Sequence, residues 1–216
     1  MTGDESGTIR ETSRRMLLRN AVLFGAGAAA VGVTSISQAG SAYAASAPVS
    51  RAQPAPLAAP DTNASIQWSW AWCSKCQGLY YAVNTGSFCP AGGHHGGAKS
   101  YNYGLYYNGE GADYQEGWAF CSQCYGLFYA NGEEFAGLCP KYQGAAAHAN
   151  RNSYDYLMFD GAGSYSNAQP GWRWCWQCQG MFYANNNTRA GVCPLDNGKF
   201  LHNGSSSYLY QIVDSQ

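Results

Sequence analysis

The arrangement of cysteine and histidine constrains this chain more than any other feature. All nine cysteines fall into three sets of the form C-x-x-C…C, and a histidine follows each set. A tetrahedral zinc ion takes four thiolate or imidazole ligands, of which a C-x-x-C turn presents two and a later turn supplies the rest. The sequence therefore predicts three Zn²⁺ sites, with the ligands Cys73, Cys76, Cys89 and His95; Cys121, Cys124, Cys139 and His148; and Cys175, Cys178, Cys193 and His202.

The choice of histidine in the first set follows from a second motif, Ser-Tyr-x-Tyr, which ends each repeat. His148 and His202 each precede the serine of this motif by five positions, and the same offset selects His95 rather than His94. Disulfides are the alternative use of cysteines in an exported chain. Three cysteines per set cannot all pair with one another, which disfavours disulfides. One disulfide and one free thiol per set is the alternative that this count still allows.

Residues 1–44 have the features of an export signal. They contain a twin-arginine motif, S-R-R-M-L-L-R at 13–19, then an apolar run, and then a small-residue cleavage site, A-Y-A at 42–44. We expect a secreted protein with no membrane segment after cleavage. Because the twin-arginine pathway carries folded proteins, zinc can meet the thiols in the reducing cytoplasm before an oxidant does.

Residues 45–65 form a segment rich in alanine and proline, with almost nothing large to bury. Such a composition is typical of an extended, flexible arm with some polyproline II character. The arm is either a spacer that clears the cleavage site or a docking segment that orders in a partner's groove. Arg51 is its only charge before Asp61, so Arg51 is the expected partner-binding anchor.

From residue 66 onward the chain repeats three times with a period of about fifty residues, in units 66–113, 114–167 and 168–216. Each unit contains W-x-W/F-C followed by C-x-G-L/M-F/Y-Y-A, and short aromatic runs bounded by glycine and asparagine indicate strands. We expect an all-β fold in which three pseudo-repeats of short strands, with zinc-ribbon-like knuckles, pack into one compact body. The glycine after the second cysteine, Gly78 in the first unit, is expected to take the positive φ of the knuckle turn.

Charge and ligand type narrow the function classes. The chain has 12 Lys and Arg against 13 Asp and Glu, with no basic stripe to neutralise phosphates, so nucleic-acid binding is disfavoured. Three thiolates and an imidazole close the coordination shell of zinc, whereas catalytic zinc keeps one position open. The paired carboxylates Glu133 and Glu134 have no counterparts in the other units. We expect structural zinc and a protein that is not an enzyme.

Trp176 stands out between the two cysteines of the third knuckle. The corresponding pairs in the first and second knuckles are Ser74-Lys75 and Ser122-Gln123. Residues at these positions usually point to solvent, so a lone tryptophan is a candidate contact for a protein partner or a sugar. Packing of Trp176 against the neighbouring loop is the alternative.

The repeated W-x-W/F-C-x-x-C-x-G-L/M-F/Y-Y-A units resemble cysteine-rich repeats of exported proteins of streptomycetes and their relatives. The order of twin-arginine motif, arm and compact body is similar to that of the adaptor subunits of umbrella toxin particles. That resemblance implies a secreted adaptor that joins other secreted proteins, namely a lectin-like propeller subunit and a large repeat-containing toxin subunit of an antibacterial complex. The alternative is a carbohydrate-binding, lectin-like module, favoured by an aromatic content of 15% and the threefold repetition.

Overall fold

The computed structural model describes residues 53–83 and 86–215, and over these residues the chain is built from β-strands, with one short 3₁₀ turn at Pro140–Tyr142. The expected all-β fold is confirmed. None of the described helical turns has the length and apolar composition to cross a membrane. The strands are β1 (Ser65–Trp72), β2 (Leu79–Tyr81), β3 (Asn102–Tyr107), β4 (Tyr114–Phe120), β5 (Leu127–Tyr129), β6 (Phe135–Ala136), β7 (His148–Ala149), β8 (Tyr156–Phe159), β9 (Ala168–Trp174), β10 (Met181–Tyr183), β11 (Arg189–Cys193), β12 (Phe200–Asn203) and β13 (Tyr210–Ser215).

Nine of these strands form one antiparallel sheet, in which each unit contributes three. A hairpin that carries the C-x-x-C turn opens each unit, and the strand that carries the last tyrosine of Ser-Tyr-x-Tyr closes it. The hairpins have the same register, since Trp70 pairs with Tyr81, Trp118 with Tyr129 and Trp172 with Tyr183. The sheet order is β10-β9-β13-β3-β8-β4-β5, with β1 paired to β3 and β2. Because β13 pairs with β3, the third unit closes onto the first.

One tryptophan and one tyrosine from each unit lie in the core among leucine, methionine and isoleucine side chains, and the edge-to-face ring pairs between them join different units. The indoles of Trp70, Trp118 and Trp172 are buried. Each meets the tyrosine of another unit edge to face: Trp70 with Tyr156, Trp118 with Tyr210, and Trp172 with Tyr103, at centroid distances of 5.2, 5.4 and 5.2 Å. Aromatic pairs of this kind add stability beyond their buried area. The three units therefore share a single core.

Each core tyrosine also donates a hydrogen bond to a glutamine of another unit. The hydroxyl of Tyr103 lies 2.5 Å from Gln169 Oε1, and that of Tyr210 lies 2.6 Å from Gln115 Oε1. Tyr156 donates to Gln67 in the same way. The direction is cyclic, from the first unit to the third, from the third to the second and from the second to the first. Neutral hydrogen bonds thus satisfy the hydroxyl groups of the core tyrosines, whereas the buried Nε1 atoms of Trp70 and Trp172 have no hydrogen-bond partner among the described residues.

The segment from residue 53 to the start of β1 packs on the body, unlike the free arm that its composition predicts. The side chain of Leu57 is buried, and its backbone N–H lies 2.5 Å from Asn167 Oδ1. The hydroxyl of Tyr114 donates to the Ala58 carbonyl at 2.7 Å. Composition missed this docking because one leucine is enough to anchor a segment when a partly apolar surface lies beside it. Arg51 and the rest of the predicted arm lie outside the described residues.

Candidate metal centre

Each metal site begins with a tight turn that brings two sulfurs of one C-x-x-C sequence together. In the first unit the Cys73 N–H donates to the Gly78 carbonyl at 2.9 Å, and the Gln77 N–H donates back to the Cys73 carbonyl at 2.8 Å. The residue with positive φ is Gln77, at 66°, and its counterparts are Tyr125 and Gln179 at 64°. The assignment of positive φ to Gly78 is therefore wrong by one position.

Gly78 serves a different purpose from the one predicted. A Cβ on Gly78 would lie 3.4 Å from Cys76 Sγ, so the missing side chain leaves room for the ligand sulfur. Its backbone forms a β-bridge with Phe182 of the third unit. The equivalent bridges join Tyr80 to Gly126 and Phe128 to Gly180. A Cβ at these glycines would lie 3.8 to 3.9 Å from the nearest carbonyl oxygen of the neighbouring unit, which is an ordinary contact, so the tightest neighbour of each glycine is the ligand sulfur of its own knuckle.

The four candidate ligand atoms of each set converge within 4.8 Å of one another. Sulfur to sulfur distances are 3.8 Å for Cys73–Cys89, 3.9 Å for Cys121–Cys139 and 4.0 Å for Cys175–Cys193. Two thiolates of a tetrahedral zinc with bonds of 2.3 Å are separated by about 3.8 Å. All nine cysteines are free, which argues against the disulfide alternative. The residues present thus fit three structural zinc sites.

The histidine of each set approaches the second cysteine through Nδ1. The distance from Nδ1 to sulfur is 3.4 Å in all three pairs, Cys76–His95, Cys124–His148 and Cys178–His202. An aromatic residue of the same unit stacks on each ring at 4.6 to 4.8 Å and fixes its plane; these residues are Tyr80, Phe128 and Phe182. His94 lies outside the cluster, exposed, with its Nδ1 2.6 Å from the Ser87 carbonyl. The structure therefore brings His95 to the first site.

The thiols of one site perturb one another strongly because three of them share a small buried volume. In the second site, hydrogen bonds from Cys124 and Cys139 lower the pKa of Cys121 well below its usual range. Desolvation raises the pKa of Cys124, and the hydrogen bond with Cys121 raises the pKa of Cys139 to about 12. The site therefore favours one thiolate and resists three. A divalent cation removes that resistance, so zinc binding is expected to release protons.

The three sites meet around a small cavity at the centre of the ring of units. Its volume is about 40 Å³, and equivalent residues of all three units line it, including the three ligand histidines and the proline after each third cysteine. The Nε2 atoms of these histidines are buried, with no hydrogen-bond partner among the described residues. A volume of this size holds at most a water molecule or two. The central cavity therefore has no room for a larger ligand.

A further main-chain contact, which the sequence analysis missed, ties each site to the next unit. The residue before the third cysteine donates its N–H to the carbonyl of the second cysteine of a neighbouring unit: Phe88 to Cys124 at 3.3 Å, Leu138 to Cys178 at 3.2 Å and Val192 to Cys76 at 3.2 Å. Two glycines permit this approach, Gly137 and Gly191, with φ of 64° and 65°. The sequence pattern that could have predicted this contact is G-x-C, which occurs in the second and third units. The first unit has Ser87 in place of the glycine.

Trp176 lies on the outer side of the third knuckle. Its side chain is 47% exposed, although its backbone N–H donates to the Asn203 carbonyl at 3.2 Å. Other large apolar side chains of the third unit are exposed to a similar extent; they are Phe200, Leu201 and Leu209. Trp176 is thus an exposed apolar side chain within the third knuckle itself, where a partner can reach it.

Comparison of the chain with protein-family models, with curated proteins and with solved structures found no match. The geometry consists of three closed Cys₃His sites joined to one another by main-chain hydrogen bonds and to one aromatic core.

Proposed function

We propose that this protein is a secreted, non-enzymatic adaptor, whose three-zinc body holds binding surfaces for other secreted proteins in a fixed arrangement. The observation that carries the proposal is the closure of all three sites, in which buried cysteines and a histidine fill the coordination shell. A closed shell supplies folding energy and leaves no position for a substrate. Each unit of about fifty residues has too little core to be stable by itself, so such metals and the shared core together stabilise it.

Rigidity is the property that an adaptor needs from such a body. Each unit is linked to the next through the core tyrosines and through the knuckle hydrogen bonds, so no unit can move without breaking contacts with both neighbours. A preorganised surface loses less conformational entropy on binding than a flexible one, which improves affinity without additional contacts.

Two features supply candidate attachment points. Trp176 forms one, because it is exposed and tryptophan is enriched at the energetic centre of interfaces. Residues 45–52, with Arg51, form the other, as a segment that orders on a partner. By the resemblance stated above, the partners are a lectin-like propeller subunit and a large toxin subunit, met after export by the twin-arginine route.

Affinity purification from culture supernatant tests this proposal. The full chain with a C-terminal tag is expected to retain at least two other secreted proteins. Deletion of residues 45–52 should release one of them, and Trp176→Ser should release another. The deletion stops before Leu57 because that residue packs on the body. Each variant must keep three zinc ions; a folded variant lacking both features that still retains every partner contradicts the proposal.

Carbohydrate binding is a second candidate, favoured by three equivalent tyrosines. Tyr101, Tyr154 and Tyr208 are all exposed, whereas the second tyrosine of each Ser-Tyr-x-Tyr motif is buried. Three exposed rings at corresponding positions can bind a repeating glycan with avidity, and Tyr154 offers one face because the other stacks on Tyr107 at 4.1 Å. A glycan array probed with the tagged protein and with its Tyr101→Ala/Tyr154→Ala/Tyr208→Ala variant distinguishes the candidates, because the adaptor proposal expects no glycan signal that depends on these rings.

A further inference from the structure

The second unit has an open groove at a position that the third unit fills with its own side chain. The groove has a volume of about 210 Å³ and lies beside the second hairpin; its lining includes Ala119, Asn150, Ser153, Tyr154 and Asp155. Several of these residues have direct counterparts in the other two units. The repeat therefore provides an internal comparison of what this space accommodates.

In the third unit the counterpart of Ala119 is Arg173. The register shows the correspondence, because Ala119 pairs with Phe128 in one hairpin and Arg173 pairs with Phe182 in the other. The guanidinium Nη1 of Arg173 donates to the carbonyls of Gly204 and Ser207, at 3.3 and 3.5 Å. An arginine thus occupies this space in the third unit, held by two backbone acceptors.

The same two acceptors are present in the second unit, on Asn150 and Ser153. The local turn is equivalent, since the Ser153 N–H donates to the Asn150 carbonyl at 2.9 Å and the Ser207 N–H to the Gly204 carbonyl at 3.1 Å. The side chain at position 119 ends at Cβ, so no group of the second unit fills the place that the Arg173 guanidinium takes. Carbonyl oxygens have two lone pairs each, so both still accept a donor.

We infer that this groove binds the guanidinium group of an arginine side chain from a partner polypeptide. Asp155 strengthens the site relative to that of the third unit, where Leu209 stands. One carboxylate oxygen of Asp155 accepts the Gly117 N–H at 2.8 Å, which fixes the side chain and leaves the other oxygen for a cation. A planar fork of N–H donors fits carbonyl and carboxylate acceptors better than the point charge of lysine does.

The surroundings of the groove favour a cation. Asp155 also lines an adjoining cavity of about 420 Å³, together with Asp61, Glu110 and Glu116. Over the residues that the structure describes, the ion pairs are Arg151 with Glu134 and Lys199 with Asp196, so these four carboxylates have no basic partner. Clustered negative charge raises the local concentration of cations and steers them to the surface. A basic segment of the partner is thus the expected ligand.

This inference names a partner chemistry and so rests on the adaptor proposal for its biological role, but the site can be tested on the protein alone. The probe is N-acetyl-arginine N′-methylamide, titrated into the zinc-loaded protein and followed by amide chemical shifts in NMR. The matched control probe is the citrulline analogue, which has nearly the same shape and no charge. We expect saturable shifts at Gly117, Tyr154 and Asp155 with arginine, at concentrations up to roughly 50 mM.

Two variants taken from the third unit locate the site. Asp155→Leu should weaken arginine binding by about tenfold, because a charge-assisted hydrogen bond is lost. The double variant Ala119→Arg/Asn150→Gly should abolish it by filling the groove from within. The glycine is required because a Cβ at the equivalent Gly204 would lie 2.9 Å from Arg173 Cβ and Cδ. Arg173→Ala is the folding control, which should leave binding at the second unit unchanged.

Three outcomes overturn the inference: equal shifts with arginine and citrulline, shifts that lie away from the groove, or no saturation with either probe. If a variant loses zinc, the comparison of the two probes on the unmodified protein decides. Failure here removes the arginine site and leaves the adaptor proposal standing, because the latter depends on partner retention from supernatant and not on this probe.

Discussion

The first and third metal sites use the same ligand types in the same order, yet the chain encloses them to different degrees. In the third unit His202 is only 3% exposed and Cys193 is fully buried, whereas in the first unit His95 is half-buried and Cys89 is 6% exposed. The cause is the length of chain between the third cysteine and the histidine. In the third unit this segment is long enough for β12 to pair with β11 and cover the site.

The first unit closes its site by a shorter route. After Cys89 a tight turn follows, in which the Cys89 N–H donates to the Gly93 carbonyl at 2.9 Å, and the described residues of this unit form no hairpin like β11–β12. Ser87 stands where the third unit has Gly191. The comparison teaches that the ligand geometry depends on the turns, which are conserved between the units, while the access of solvent to the metal depends on the loop.

The largest effect is expected from removing one cysteine ligand from each of these two sites. Cys193→Ser should abolish the fold and reduce zinc from three ions per chain to none, because Cys193 is fully buried and belongs to β11, whose pairing with β12 covers the site. Cys89→Ser should leave a folded protein with two ions and a lowered unfolding temperature. The cost of losing a buried structural zinc is several kcal/mol, which is comparable to the whole stability of a small domain.

Metal analysis and thermal unfolding measure both variants. Equal losses in the two variants would show that the difference in enclosure has no energetic meaning. Independent loss of one ion in each, without effect on the others, would contradict the linkage of the sites through the ring.

The next largest effect is expected from substituting Gly191, the glycine at the contact between the third site and the first. Gly191 has a φ of 65°, and a Cβ there would lie 1.9 Å from the Cys76 carbonyl oxygen. Gly191→Ala should therefore reduce the free energy of unfolding by about 3 kcal/mol or more, from backbone strain and steric overlap together. Gly132→Ala is the matched control, because Gly132 has a φ of 82° but nothing within 4 Å of its Cβ position, so this variant should cost only the backbone strain, about 1 kcal/mol. Denaturant titration of the zinc-loaded proteins measures both, and an alanine tolerated at position 191 would disprove the close approach.

A feature of the fold or of the metal sites could be predicted from the sequence where residues close together in the chain determine it. The ligands were readable because the spacing from His148 and His202 to the following serine recurs at His95. The pairing of β13 with β3, which closes the ring of units, was not predictable from the sequence. It joins residues more than a hundred positions apart, such as Val213 and Gly104, and leaves no periodic signal. The groove of the second unit was not predicted for a similar reason. The sequence shows that Ala119 and Arg173 differ, but it does not show that the space beside Ala119 is open.

Zinc release should show a smaller difference between the sites. A chelating dye added to the zinc-loaded protein is expected to remove the ion of the first site about tenfold faster than the others, because local opening is easier at an exposed loop. Alkylation during release, followed by peptide mass spectrometry, identifies the site: the peptide with Cys73, Cys76 and Cys89 should be modified first. Simultaneous release of all three ions would indicate that only global unfolding frees the metal.

The smallest effect is the loss of stability at high pH that comes from the core tyrosines, and it should be the same for the first and third units. Burial raises the pKa of Tyr103 in the first unit and of Tyr210 in the third above the ordinary value of 10. The unfolded chain therefore loses these protons at lower pH than the folded protein does. Stability is thus unaffected by these groups below pH 10 and falls as the pH rises above it. Tyr103→Phe and Tyr210→Phe should each reduce the steepness of this alkaline loss, by up to about 1.4 kcal/mol per pH unit, in zinc-loaded protein followed by circular dichroism. If the two variants reduce the alkaline loss of stability equally, the difference between the first and third units lies entirely in the metal loops. If one variant has a much larger effect, the core is itself asymmetric, and loop length alone does not explain the difference between the sites.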